Sequence, residues 1–299
     1  MGAPIVAADG TVYVGSKLGL HALDSDGKQK WLANLAYAEG AYVTIMKSGS
    51  LAVLTLDGGL HVIGTDGVEL WSKPGPFDSF VPLIGNDGTI YVDAPVLANG
   101  SVQAFRQDGT LAWERAPSAK QFIGVAGIFP ASGDVLLYAG PSDPGFVNAV
   151  LRVSPSGDDV WSWSPKGATD CDLIDGSDTV YCDGPGGVVG VTGKGQPTSS
   201  LPIGHPYILR HDGVFVSGTT NGLIATAHDG TKMWESPAGA AVLAVDGEDT
   251  LYAAGPAVVA IDKNGQTRWT FPHNSQDIAL GRDHTLYVVS DGTLYALGP

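Results

Sequence analysis

Positive charge is scarce in this 299-residue chain: 16 lysines and arginines stand against 31 aspartates and glutamates, a formal net charge of −15. So acidic a surface repels phosphate, which excludes nucleic acids and anionic membrane surfaces as partners. Charged residues of both signs total only 16%, against 43% hydrophobic, so a disordered polyelectrolyte is excluded as well. No apolar run approaches the ~18 residues that cross a bilayer as a helix, and no transmembrane segment is expected. Cysteine is limited to Cys171 and Cys182, too few and too far apart for a Cys-x-x-Cys-His haem site. Gly-x-Ser-x-Gly, Walker and His-Glu-x-x-His motifs are missing too, and with them the usual signatures of serine hydrolases, nucleotide hydrolases and zinc peptidases.

Glycine and proline are abundant instead, 42 and 19 residues, one position in five where about 12% is ordinary. They punctuate a repeat. The first copy runs Ile5-Val6-Ala7-Ala8-Asp9-Gly10-Thr11-Val12-Tyr13-Val14-Gly15-Ser16, then Leu18-Gly19-Leu20-His21-Ala22-Leu23-Asp24, then Asp26-Gly27-Lys28-Gln29-Lys30-Trp31. Tyr13 is matched by Ala52, Tyr91, Tyr138, Tyr181, Phe215, Tyr252 and Tyr287, at steps of 34 to 47 residues. Gly-x-x-x-Trp recurs in register at Gly27/Trp31, Gly67/Trp71, Gly109/Trp113, Gly157/Trp161, Gly230/Trp234 and Gly265/Trp269, while the fifth repeat has Gly195 but Ser199. Eight copies of about 39 residues indicate a repeat architecture rather than two ordinary domains. Asp-Gly pairs such as Asp9-Gly10 and Asp26-Gly27 are expected to form two-residue hairpin turns, giving four short antiparallel strands per copy. Val12, Val14, Leu20, Ala22 and Leu23 put apolar side chains on both faces of each small sheet, which cannot stand alone in water. Packing the sheets face to face in a closed circle covers both faces. The expected fold is therefore all-β, an eight-bladed β-propeller forming one domain over residues 1–299, with blades starting near 3, 41, 80, 126, 169, 205, 240 and 276. The last blade reaches only Leu294–Leu297 and is expected to be three-stranded, closed by apolar packing on the first. An insertion is expected around Tyr138–Val147.

Asp-Gly-Thr-Val-Tyr-Val-Gly-Ser, Gly-Leu-His-Ala-Leu-Asp and the Gly-x-x-x-Trp series resemble the pyrroloquinoline-quinone-like (quinoprotein-type) propeller repeats. Those repeats occur in quinoprotein dehydrogenases and in the propeller lipoprotein of the barrel-assembly machinery. The resemblance covers residues 3–298 and implies eight blades, each tryptophan docking from an outermost strand onto the next blade. It also implies a periplasmic or extracellular setting. It fixes no activity, because one fold hosts many functions. Quinoprotein dehydrogenases stack their cofactor on a disulfide between adjacent cysteines, whereas Cys171 and Cys182 are eleven residues apart and the chain is about half as long. A quinone-dependent dehydrogenase is therefore not expected, and no cofactor is.

Cys171 and Cys182 flank Asp175-Gly176-Ser177-Asp178. If Ile174 opposes Thr179, the two cysteines face each other across adjacent strands, close enough for a disulfide stapling the blade that lost its tryptophan. Two buried free thiols are the alternative. A disulfide would require an oxidising compartment. No signal peptide precedes the repeats, and Met1-Gly2 reads as a start placed before a mature or excised domain. Asn99-Gly100-Ser101 matches a glycosylation sequon.

One face of the disc should carry uniform Asp-Gly turns and the other the variable connections, where function concentrates. The connections on the second face hold Tyr37, Glu39, Phe77, Asp78, Lys120, Phe122, Asp170, His205, Tyr207 and His273. The expected function is a non-catalytic binding scaffold, monomeric, engaging a protein, peptide or glycan through this face. The ligand-binding candidates are Tyr37, Glu39, Asp78, Lys120, Phe122, His205, Tyr207 and His273. The alternative is a lyase or hydrolase with an acid–base site at the channel mouth, built from His205, Tyr207 and Asp170. His21 and His61 occupy matching third-strand positions and are expected to pack in the core with one hydrogen bond rather than to hold a metal. Asp24-Ser25-Asp26-Gly27 opens like a calcium loop but lacks its closing glutamate, and reads as a turn.

Overall fold

The computed structural model describes residues 3–77, 81–94, 100–117, 121–141, 149–164, 170–184, 186–204, 206–219, 222–237, 241–275 and 277–298. These form eight antiparallel sheets, seven of four strands and a last one of three. Blade one is Ile5–Val6, Val12–Ser16, Gly19–Leu23 and Gln29–Ala33, and each later four-stranded blade repeats that meander in chain order. Blade eight is Asp277–Leu280, Leu286–Ser290 and Thr293–Leu297. The protein is an all-β, eight-bladed β-propeller whose final blade is three-stranded. Residues 142–148, within the expected insertion, lie outside the described residues.

The turns differ from expectation in one respect. Gly10 N–H donates to the Ala7 carbonyl and Ala7 N–H to the Thr11 carbonyl, so the loop is three residues, Ala8-Asp9-Gly10. Only the glycine takes positive φ (Gly10 +82°, Gly27 +77°), whereas a two-residue turn of the Asn-Gly type needs it at both positions. The aspartates of these pairs do not take positive φ, and turn carboxylates cap the loop instead. Asp9 Oδ1 accepts the Thr11 N–H at 3.0 Å, and Asp24 Oδ1 accepts those of Asp26 and Lys28. The side chain thus satisfies backbone donors that the tight loop leaves unpaired.

The core lies between the sheets. By contact, the chain divides into Met1–Gly40 with Leu201–Pro299, holding blades six, seven, eight and one, and Ala41–Ser200, holding blades two to five. In the second unit Tyr91, Val102 and Ala104 of blade three pack with Val135, Leu137 and Val153 of blade four. In the first, Tyr252, Val258 and Ala260 of blade seven pack with Leu286 and Val288 of blade eight. Blade eight meets blade one through Asp277–Leu280 and Ile5–Val6, and among the described residues each of these two sheets is built from consecutive strands.

Four tryptophans clasp the next blade. The Trp113 indole lies under the Gly157 turn, where a Cβ would sit 2.9 Å from the ring, and its Nε1–H donates to the Pro155 carbonyl at 3.0 Å. Trp71 does the same at Gly109 and Gln107, Trp161 at Gly195 and Gly193, and Trp234 at Gly265 and Lys263. The turn glycine is needed twice, for its positive φ and for the absence of a side chain against the ring. Blade five has Ser199 instead of tryptophan, and Pro202 fills the space under Gly230.

Cys171 and Cys182 form a disulfide, with Cα atoms 4.1 Å apart. The pairing reached is the expected one, but by a different register. Ile174 opposes Val180 rather than Thr179, and a bulge between Cys171 and Leu173 brings the cysteines back opposite each other. The cause is again a three-residue loop, with Asp178 at φ +63° in the glycine's place.

Two outcomes follow for stability. Trp113→Ala should lower the unfolding free energy by about 3–5 kcal/mol and Trp113→Phe by about 1–2 kcal/mol, read from urea denaturation. The denatured, unreduced protein should return no free thiol, and the double substitution Cys171→Ser with Cys182→Ser should cost about 2–3 kcal/mol for so short a loop.

Candidate functional site

Tyr37, Glu39, Phe77, Asp170 and His273 sit in connections between blades, whereas Phe122 and Tyr207, expected there, lie in strands because those strands start earlier than the sequence pattern indicates. Tyr37 and Glu39 come together in the segment after blade one, where Ala38–Gly40 forms one 3-10 turn. Gly15 is the reason the segment lies where it does. A Cβ there would be 1.8 Å from the Ala38 carbonyl oxygen, so only glycine admits this approach. Tyr37 is left 55% exposed at φ +58°, an unfavourable backbone state for a bulky residue, held by the anchored turn behind it. The loop therefore presents a large aromatic on a rigid base.

The other candidates are placed as follows. His273 is half-buried, stacked on Phe271 at 4.4 Å and tilted against Tyr295 at 5.0 Å, an aromatic trio between blades seven and eight. Phe77 packs edge-on against Phe105 at 6.0 Å, inside the core of blades two and three. Asp170 is exposed beside the disulfide, its N–H donating to Asp183 Oδ1 at 2.8 Å. Phe122 lies in the strand Gln121–Ile128 opposite Gly140, and Tyr207 in the strand Pro206–Leu209. Asp78, Lys120, His205 and the sequon's Asn99 lie outside the described residues. His21 bonds Ser16 Oγ at 2.7 Å and Gln29 Oε1 at 2.8 Å, and His61 bonds Glu69 Oε2 at 2.7 Å. Each ring thus ties a third strand to its neighbour, and among the described residues no cluster could hold a metal ion.

Arg152 went unnoticed in the sequence. It occupies a third-strand position that holds Ala22, Val62, Ala104, Ala225 or Ala260 in other blades, each opposite a tryptophan. The guanidinium is buried 4.3 Å over the Phe129 ring and bonds Asp134, Asp178 at 2.9 Å and the Gly193 carbonyl at 2.8 Å. An arginine inside a run of small apolar equivalents was the available signal. It ties blade four to blade five, the blade without a tryptophan. A cavity of about 770 Å³ between blades three and four is lined by Asp87, Arg106, Asp108, Trp113 and Pro155. It opens among the Asp-Gly turns, the end expected to be uniform.

Six turn aspartates, Asp9, Asp175, Asp229, Asp246, Asp262 and Asp283, are held below their ordinary pKa. For Asp9, Asp229, Asp262 and Asp283 the leading cause is the backbone N–H each accepts. At Asp175 and Asp246 burial pulls upward most strongly, but the combined hydrogen bonds from Thr179 and Ser177, or Thr250 and Glu248, and from Tyr181 or Tyr252 outweigh it. Burial and the adjacent carboxylate in turn push the Tyr252 phenol up to about 12.

Blades clasped by tryptophan under a glycine turn define a PQQ-like propeller. The family model described as outer membrane protein assembly factor BamB matches residues 16–169 and 145–299, and the chain belongs to that family. Outer membrane protein assembly factor BamB of Burkholderia pseudomallei (strain K96243) is 26% identical over 320 residues, covering 99% of this chain and 78% of that protein. Among solved structures, BamB from Moraxella catarrhalis matches with a TM-score of 0.72 at 18% identity, covering 100% of this chain and 94% of that one. Dihydro-heme d1 dehydrogenase NirN in complex with DHE matches at 0.75 and 13% identity, covering 98% and 73%. At such identities these structures share the fold.

Two further outcomes are expected. Groups with lowered pKa stabilise the fold fully above the unfolded value of about 3.9 and lose that contribution as pH falls through the folded value. The melting temperature should be nearly level from pH 7 to 5 and drop below about pH 4, read by calorimetry. Arg152→Leu, which strands the buried Asp178 and the partly buried Asp134, should cost about 3–5 kcal/mol in urea denaturation.

Proposed function

We propose that this chain is a non-catalytic scaffold that binds a protein partner during outer membrane protein assembly, on the periplasmic side of that membrane. The likeness to a factor named for that process, extending over 99% of the chain, supports the process. The Cys171–Cys182 disulfide supports an oxidising compartment. The partner engages the connections between blades, and the observation that carries this is Tyr37, a half-exposed aromatic in a rigidly anchored, strained loop. Such residues give large contact area at small entropic cost. Glu39 shares the loop, and Asp170 belongs to the equivalent connection before blade five.

A photo-crosslinking amino acid placed at position 37 should capture an envelope protein of the outer membrane assembly apparatus in living cells. The same group placed at Ser25, in an Asp-Gly turn, should not. Tyr37→Ala should weaken binding of the captured partner about tenfold or more with an unchanged melting temperature. Capture from position 25 but not from 37, or a glycan as the species retained, would overturn the proposal.

A further inference from the structure

In blades one, four, five and seven the turn between the third and fourth strands opens on a side chain that accepts the backbone N–H four residues on. Asp24 accepts it from Lys28 at 2.9 Å, Ser154 from Asp158 at 3.1 Å, Thr192 from Gln196 at 3.2 Å and Asp262 from Gln266 at 2.9 Å. Blade three opens the same turn on Arg106, whose carbonyl accepts the Gly109 N–H as that of Asp24 accepts the Gly27 N–H. A guanidinium has donors only and cannot cap the loop. Asp108 caps it instead, its Oδ1 accepting the Thr110 N–H at 2.9 Å and the Thr110 hydroxyl at 2.7 Å. Arg106 itself is exposed, and its one hydrogen bond among the described residues runs to the Leu111 carbonyl at 3.3 Å. Arg115, Arg152 and Arg210, by contrast, each pair with a carboxylate. The local structure therefore gives no reason for a cation at position 106.

Its surroundings do. Arg106 stands in the wall of the 770 Å³ cavity between blades three and four, a volume within the range of about 300–1,000 Å³ common for small-molecule sites. The same wall carries Asp87 and Asp108 together with an apolar stretch of Ala112, Trp113 and Pro155. The two carboxylates differ. Asp87 spends both oxygens on Thr89, Oδ1 accepting its N–H and Oδ2 its hydroxyl, each at 2.9 Å. Asp108 uses Oδ1 for both of its bonds and keeps Oδ2 open among the described residues. Hydrogen bonds from Thr110, the hydroxyl first and the backbone second, hold Asp108 below the usual carboxylate range, so it is ionised at neutral pH. A lone anion on Arg106 would face two carboxylates, and a lone cation on Asp108 would face the guanidinium. A ligand carrying both charges is matched at each.

We infer that this cavity binds a zwitterion with an apolar body, of the class of short peptides of apolar residues with both termini free. The terminal carboxylate sits on Arg106, whose forked N–H groups suit it. The terminal ammonium sits on Asp108 Oδ2, and the apolar side chains lie against Ala112, Trp113 and Pro155. The site is built from the Asp-Gly turns rather than from the connections between blades, so it goes beyond the function proposed above and does not rest on it.

Calorimetric titration of the full chain with leucyl-leucine tests the assignment. Saturable binding is expected, weakened about tenfold or more by acetylating the peptide's amine and by the same order on converting its carboxylate to the amide. Arg106→Gln should weaken leucyl-leucine and its N-acetyl form and leave the amide form unchanged. Asp108→Asn, which keeps the oxygen that accepts the Thr110 N–H, should weaken leucyl-leucine and the amide form and leave the N-acetyl form unchanged. Each variant alters an exposed side chain and should melt with the parent. No saturation at tens of millimolar peptide, blocked forms that bind as tightly as the free dipeptide, or a variant that weakens all three ligands equally would overturn the inference, and none of these results bears on Tyr37.

Discussion

A four-stranded sheet of about 30 residues with apolar side chains on both faces cannot be stable alone in water, because neither face can be left to solvent. Everything else in this protein answers that constraint. Face-to-face stacking buries residues such as Tyr91, Phe215, Leu251 and Leu137 almost completely, and the clasps of Trp71, Trp113, Trp161 and Trp234 each tie one sheet to the next. The clasp is specific because it joins two needs at one point: an indole N–H that must find an acceptor, and a turn whose glycine has no side chain to keep the ring away.

Blade five shows what happens where the clasp fails. Ser199 stands where the tryptophan would, and three local devices occur in this stretch of the chain or next to it in sequence: Pro202 under the Gly230 turn, the buried Arg152 bridge from blade four, and the Cys171–Cys182 staple between the first two strands. They act by different means, namely packing volume, charge-assisted hydrogen bonding and covalent constraint.

The blade count, the strand order and the clasp residues were legible because each repeat writes them locally and repeats them in phase. Turn geometry was less so. Asp-Gly looks like a two-residue turn until the aspartate's carboxylate is seen accepting the Thr11 N–H, a contact the spacing alone does not reveal. That extra loop residue shifted the register at Ile174, and a bulge that no sequence pattern announces restored it. The candidate site was legible only as a set of connections. Tyr37 and Glu39 could be named, but their anchoring depends on Gly15 meeting Ala38, two residues that look unremarkable in the chain. His273 finds its partner Tyr295 in the next blade, beyond the reach of local reading. Arg152 was passed over because a lone arginine in a strand ordinarily faces solvent.

A propeller built this way offers a partner a stiff frame whose variation is confined to the connections, so recognition can change without disturbing the clasps. The most direct test of the clasp is hydrogen exchange at the indole N–H groups, resolved in a ¹⁵N-labelled sample. The indoles of Trp113 and Trp161, hydrogen-bonded to the Pro155 and Gly193 carbonyls, should exchange about tenfold or more slowly than free indole, in step with the amides of their own strands. Exchange at the free-indole rate while those amides stay protected would show that the tryptophans do not join the blades.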